Sequence, residues 1–325
     1  MLIKNGHDVI ITARKEDTLI ELLKYSNLNY ILLPRKAKKF IGLLFELISR
    51  SVKLFLISRR KKIECYFGMS ILSIIIANFF KRKPVILFTE QEDMGLKSKF
   101  VFKFANKIFT PIFFNGNLGE KHEKFNSLLQ LSYLHPKYFS PDKKIVERFL
   151  KIKIDKQKYF ILRFCDWNAS HDLNQKGFSK ITKYKLINFL TKFGKVFILD
   201  ESNNKDFQSY KPNIPENMIH HFLAFSSLNI TETTSISIES GLLGVPVVRC
   251  STLVNTRKGG AAIFEKLEQN NLVYSFKEEN EAFQKVIEIV EENKSKIYWI
   301  KNRDKFIEQF DRDIVKKLYL KIIES

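Results

Sequence analysis

The sequence predicts an α/β protein made of two doubly wound parallel-sheet domains that face a cleft. Three observations lead there. Short β-rich runs alternate with helix-length segments along the whole chain. The alternation pauses at a proline-bearing polar stretch near 132–145 and then restarts. The 325 residues suffice for two separate cores. Alternating βα units imply parallel strands covered by helices on both faces.

In the first half, the Val, Ile, Phe and Tyr content predicts strands at Val9–Thr12, Tyr30–Leu33, Ile63–Phe67, Val85–Phe88 and Lys107–Thr110. Helices are expected near 16–25, 38–58, 69–80 and 96–105. The opening "MLIKNGHDVIIT" reads as the last turn of a helix, a stop at Gly6 and then a strand. A doubly wound domain normally opens one βα unit earlier, so its first strand is expected to be missing, as from a misassigned start or a fragment. "SYLHPKYFSPDKK" then sets Pro136 and Pro141 among polar residues and marks the join between domains 1–140 and 141–325.

The second half repeats the scheme. Strands are expected at Tyr159–Phe164, Val196–Leu199, Leu228–Thr231, Val245–Val248 and Leu272–Phe276. Helices are expected near 178–193, 215–226, 235–243, 260–270 and 280–292, with one long helix over 295–322. Both halves are Rossmann-type in pattern, and such sheets bind ligands at the carboxyl ends of their strands.

A net charge of +20 draws the protein towards anionic partners. It is concentrated: from Arg35 to Lys62, ten Lys or Arg residues accompany one acid, Glu46. Phe40, Leu43, Leu44, Leu47, Val52, Phe55 and Leu56 recur there at helical spacing. That pattern suits an interfacial helix on a membrane, or, more commonly, a core-facing helix with a solvated basic face. Neither apolar stretch reads as a span. Ile41–Ile57 is broken by Glu46, Arg50 and Lys53, and Ile63–Phe80 is a buried strand followed by a buried helix. Cys65, Cys165 and Cys250 are odd in number and far apart, so no disulfide framework exists and a cytoplasmic location is expected.

Two stretches carry chemistry. In "ITETTSISIESGLLGVPVVRC" a strand runs into a short helix with hydroxyls at Thr233, Thr234, Ser235 and Ser237. A helix start rich in N–H groups and hydroxyls suits a diphosphate, and Glu239, one turn on, suits a ribose diol. The competing reading is an ordinary cap, weakened because Ser235 and Glu239 are four apart rather than the three a capping box needs. Arg249 is expected at the end of the next strand, within reach of an anion in the cleft.

The other stretch, "ILRFCDWNASHD", follows the first strand of the second domain. Thiol nucleophile, metal site and plain polar turn are all open, and a binding loop is favoured. There Arg163 and His171 meet diphosphate or sugar, Ser170 donates a hydrogen bond and Trp167 forms a wall, with Asp166 and Asp172 orienting them. In "FTEQEDMG", Glu90, Glu92 and Asp93 follow an apolar strand and offer a carboxylate base, the alternative being a solvated acidic loop. His135 packs at the hinge or reaches the cleft, and His220 and His221 are expected on a helix, at its surface or supporting a site residue rather than in catalysis.

The blocks "GHDVIITAR", "PVILFTEQE", "YLHPKYFSPD", "LRFCDWNASHD" and "GLLGVPVVRC" together resemble a prokaryotic family of unknown function, DUF354. The helix, Gly-Val-Pro, strand passage also resembles the nucleotide-sugar half of GT-B glycosyltransferases and non-hydrolysing UDP-GlcNAc 2-epimerases. The resemblance implies a GT-B-like fold. It implies Thr234, Ser235 and Glu239 at the nucleotide diphosphate and ribose, with Arg249 nearby, and it selects Glu92 over Glu90 and Asp93 as the base for an acceptor hydroxyl. Glu92 and His171 are thus the catalytic candidates. It further implies metal-independent transfer from a nucleotide-sugar to a surface-polysaccharide or lipid-linked acceptor, at the inner face of the cytoplasmic membrane. No cofactor and no metal are called for. A nucleotide-sugar 2-epimerase and a non-catalytic membrane-associated binding protein are the alternatives. Phosphate-loop, G-x-G-x-x-G, H-E-x-x-H and nucleophile-elbow patterns are absent from the sequence, and nucleic acid is an unlikely partner.

Overall fold

The computed structural model describes the chain except residues 36, 38–39, 70–71, 80–82, 91, 93–100, 166–174, 201–204, 257–259 and 325. It divides into two compact units, Met1–Ser127 with Asp313–Ser325, and Leu128–Arg312. The sequence reading put the join at 140–141.

The first unit contains β1 (Ile11–Arg14), α1 (Asp17–Tyr25), β2 (Tyr30–Leu33), α2 (Phe40–Arg60), β3 (Tyr66–Gly68), α3 (Leu72–Asn78), β4 (Val85–Phe88), β5 (Lys107–Pro111) and β6 (His122–Phe125). All pairings are parallel, in two sheets: β1–β2, and β3–β4–β5–β6. β4 is a buried apolar run, and β5 is buried on both faces after its exposed Lys107, as parallel strands under helices require. The strand β6 was not expected: "HEKF" lacks an apolar run, and its place is set by pairing with β5.

The second unit contains α4 (Leu131–Leu134), α5 (Lys143–Leu150), β7 (Tyr159–Phe164), α6 (Lys180–Leu190), β8 (Lys195–Asp200), α7 (Ile219–Phe225), β9 (Leu228–Thr231), α8 (Thr234–Leu242), β10 (Val247–Cys250), α9 (Ala261–Gln269), β11 (Val273–Phe276), α10 (Glu279–Glu292) and α11 (Lys296–Ile307). Its five parallel strands lie in the order β11-β10-β9-β7-β8. The reversal of order around β7 is the doubly wound signature, and the two-domain α/β class follows.

Both faces of this sheet are buried, and one carries an extended apolar cluster. Phe160, Leu162 and Phe164 of β7, Ile230 of β9 and Val248 of β10 pack with Leu186 of α6 and Val286 of α10. Several helices start on side-chain caps: Asp142 accepts from the Lys144 amide, Ser179 from Thr182 and Ser295 from Tyr298.

One expected element is corrected. The helix over 295–322 is two helices: α11 ends at Ile307, and α12 (Ile314–Ile323) starts afresh on an Asp313 cap. α12 belongs to the first unit, where Tyr319 meets His7 and Lys321 pairs with Glu123 of β6. Of the two apolar stretches, the first lies within α2 and the second covers β3 and α3. Among the described residues no helix is long and apolar enough to cross a membrane.

Candidate functional site

The parallel register gathers the site residues of the second unit. Arg163 of β7 is level with Thr231 of β9, and Thr231 is level with Arg249 of β10. Partners in register point to the same face, and Leu162, Ile230 and Val248 face the core. The arginine–threonine–arginine row therefore lies on the opposite face, towards the carboxyl edge, where α8 begins.

The start of α8 departs from an ordinary cap. Thr233 holds the N-cap position, yet its side chain makes no capping bond. Its hydroxyl instead meets Thr231 Oγ1 at 2.9 Å, and Thr231 Oγ1 also accepts from the Thr233 amide at 2.9 Å. The first-turn amides are thus left without that side-chain acceptor, with Thr234 half-buried and Ser235 exposed beside them. A buried polar chain seats the helix: Ser226 Oγ donates to Asn229 Oδ1, and Asn229 Nδ2 donates to Ser240 Oγ at 2.9 Å. Gly241 brings α8 close to β11, since a Cβ there would stand 3.3 Å from Val273.

Glu239 does not stand alone. Its Oε1 accepts from the Tyr133 hydroxyl at 2.8 Å, and its Oε2 lies 3.3 Å from His220 Nε2. Each carboxylate oxygen has a second lone pair, so the group can still accept from a diol. His220 stands behind Glu239, the supporting position that was one of its two expected settings. His221 accepts from the Asp142 amide and stacks on Phe139 at 4.9 Å. His135 accepts from the Lys137 amide.

Arg249 differs from its expected setting. It lies inside β10 rather than at its end, is 1% exposed, and rests its guanidinium 3.9 Å from the Phe264 ring centre. Its Nε and Nη2 have no hydrogen-bond partner among the described residues. Burial pulls its pKa down to about 10, with Glu268 acting the other way. Such a cation contributes field to the strand ends rather than an open contact. Arg163 is half-buried and donates from Nη1 to the Leu199 carbonyl at 3.4 Å.

The residue that organises the neighbouring loop is one the sequence reading passed over. Glu232, directly after β9, is 2% exposed. Its Oε2 accepts from the Cys165 amide at 2.6 Å and its Oε1 from the Phe178 amide at 2.7 Å, with Lys183 Nζ at 3.4 Å. One carboxylate so pins both flanks of the stretch carrying Trp167, Ser170 and His171, which themselves lie outside the described residues. Burial pushes the Glu232 carboxyl upward in pKa, opposed by Lys183 and the two amides. The only hint in the sequence was an acid inside "TETT", and that motif was read for its hydroxyls.

In the first unit, Glu92 is buried and its Oε1 accepts from the Asn115 amide at 3.0 Å. It joins the segment after β4 to the turn after β5, and its own carboxylate is withdrawn from solvent. Asp93 lies outside the described residues. Among the described residues no three His, Cys, Asp or Glu side chains come together as a metal site.

The comparison that decides affiliation spans nearly the whole chain. The chain belongs to the DUF354 family. The family model, described as a protein of unknown function, matches residues 1–317. No curated protein matches the sequence. Solved structures similar to this DUF354 chain include the UDP-GlcNAc 2-epimerase of Neisseria meningitidis bound to UDP-GlcNAc. That match has a TM-score of 0.65 at 15% identity and covers 98% of this chain and 92% of that one. MurG of Acinetobacter baumannii matches with a TM-score of 0.57 at 12% identity over 100% and 93% of the two chains. Anabaena HepE in complex with UDP and glucose matches at 0.60 and 14% identity over 97% and 91%. The fold of this DUF354 protein is accordingly GT-B-like, with two Rossmann-like domains.

Proposed function

We propose that the protein binds a nucleotide-sugar at the carboxyl edge of the five-stranded sheet and transfers the sugar to a surface-polysaccharide or lipid-linked acceptor. The observation that carries this reading is the Arg163–Thr231–Arg249 row beside an α8 start whose N-cap side chain does not cap. Anionic diphosphate is the ligand such a setting favours. As the diphosphate leaves, helix-start amides, the hydroxyls of Thr234 and Ser235 and the two arginines take up its charge in place of a divalent metal. Glu239, oriented by Tyr133 and His220, accepts from the ribose diol. Glu92 draws the proton from the acceptor hydroxyl, through the oxygen not committed to Asn115. Trp167, Ser170 and His171 complete the sugar pocket on the loop whose flanks Glu232 holds.

The likeness to structures solved with UDP-GlcNAc or UDP supports the reading at the level of fold. A thermal-shift panel of UDP, UDP-glucose and UDP-GlcNAc tests it. At least one should raise the melting point, and the rise should vanish in Glu239→Ala. If no nucleotide or nucleotide-sugar moves the wild-type transition, the reading fails. The epimerase alternative predicts a second sugar from UDP-GlcNAc incubated with the protein alone.

A further inference from the structure

The helix α2 turns four polar side chains inward beside Leu54 and an apolar stripe outward. Glu46, Arg50, Ser51 and Ser58 are buried. Ile41, Leu44, Phe45, Ile48, Val52 and Leu56 are exposed, Ile41 and Phe45 each at 69%. Their spacing of three, four, seven, eleven and fifteen from Ile41 places all six on one helical face. A single exposed leucine needs no explanation, but a stripe along most of a 21-residue helix does.

This orientation is held by specific contacts. Glu46 Oε1 lies 3.2 Å from Arg14 Nη2 on β1 and 3.4 Å from Arg50 Nη1 on its own helix. Glu46 and Arg50 are buried and Arg14 half-buried, so loss of Glu46 would leave two arginine charges without their carboxylate. Ser51 and Ser58 return their hydroxyl protons to the carbonyls of Leu47 and Phe55, and Lys53 Nζ donates to the Leu32 carbonyl at 2.6 Å. The inward groups are committed to these contacts, and the apolar face is the one left for a partner.

Charge selects the partner. Arg59, Arg60, Lys61 and Lys62 are exposed at the carboxyl end of the stripe, and the sequence places Lys36, Lys38 and Lys39 just before its start. A second copy laid stripe to stripe would set cations against cations at both ends. An acidic bilayer surface accepts the stripe below its headgroups and neutralises both basic ends.

We propose that α2 lies in the plane of an anionic membrane surface, with the Ile41-to-Leu56 face sunk among the headgroups. The surface stands on these contacts alone; only its use, holding the protein where a lipid-linked acceptor is presented, rests on the function proposed above.

The test is cosedimentation of the full chain with phosphatidylcholine vesicles, with and without phosphatidylglycerol. Binding is expected at least about tenfold tighter with phosphatidylglycerol, weakening as salt rises. The triple variant Ile41→Ser/Phe45→Ser/Ile48→Ser should lose about tenfold or more, with unchanged circular dichroism. As a second measurement, Phe45→Trp should shift its emission to the blue when the acidic vesicles are added. Absence of binding, equal binding by the serine variant, or no emission shift overturns the proposal. So does a wild-type dimer that the serine variant converts to monomer. UDP-GlcNAc thermal shifts without vesicles read the donor site separately, so the two proposals can fail independently.

Discussion

Glu232 holds the Phe178 amide at 2.7 Å while its second oxygen holds the Cys165 amide at 2.6 Å. The same side chain occupies the space above Gly177, where any Cβ would overlap its carboxyl. The carboxylate therefore sets the distance between the two ends of the loop that carries the densest cluster of functional side chains in the sequence. Glu232→Ala leaves two backbone donors without their acceptor and should cost about 2–4 kcal/mol of stability. Glu232→Gln, which keeps one acceptor oxygen, should cost less. Urea unfolding of the three proteins measures both, and equal stabilities would show that the bridge is dispensable.

Arg249→Met separates stability from function. The guanidinium is buried on Phe264 with two nitrogens unpartnered among the described residues. Replacing a desolvated charge by an apolar chain of similar length should leave the melting point unchanged or raise it. The affinity for UDP-GlcNAc should nonetheless fall about three- to tenfold, as the positive field at the strand ends is lost. Calorimetric titration beside differential scanning distinguishes this from a packing role, which would lower both.

Glu92→Gln preserves the acceptor for the Asn115 amide but cannot take a proton. Its turnover should fall about a hundredfold or more with donor affinity intact. Glu92→Ala should add a loss of about 0.5–1.5 kcal/mol, since the Asn115 amide loses its acceptor. If Gln turns over at the wild-type rate, Glu92 is a brace and the base lies elsewhere.

Lys296 at the start of α11 donates from Nζ to the Gly244 carbonyl at 2.8 Å. Burial, helped by Arg303, pulls its pKa down to about 7. The unfolded chain holds this proton up to the usual lysine range, so between pH 7 and that range the unfolded state binds more protons. Stability contributed by this site therefore rises with pH across the window, by at most about 1.4 kcal/mol per pH unit. Lys296→Met removes that slope. Its stability relative to wild type should be highest at or below pH 7 and should decline towards pH 10, as denaturant melts at several pH values would show.

Much of the second unit was legible because its strands are rich in apolar and β-branched residues. Tyr159–Phe164 and Leu228–Thr231 stand as read, since strands buried on both faces leave a signal independent of their neighbours. The strand His122–Phe125 left no such signal, because its place comes from pairing with β5. The break between α11 and α12 was also missed: the apolar spacing runs on, and only the Asp313 cap marks the restart. In the site, the start of α8 could be read from its hydroxyls. Tyr133 and His220, 106 and 19 residues from Glu239, could not be assigned to it.

The sequence by itself determined the α/β class, the two-part organisation and the helix start that suits an anion. These rest on local periodicity and on which side chains follow a strand, and both are properties of neighbouring residues. Only the tertiary structure decided that Arg249 is buried, that Glu232 bridges two flanks, and that α2 turns its apolar face outward. Periodicity shows that a helix has two faces. Which face goes inward is settled by partners distant in sequence, here Arg14 against Glu46, and no spacing rule contains them.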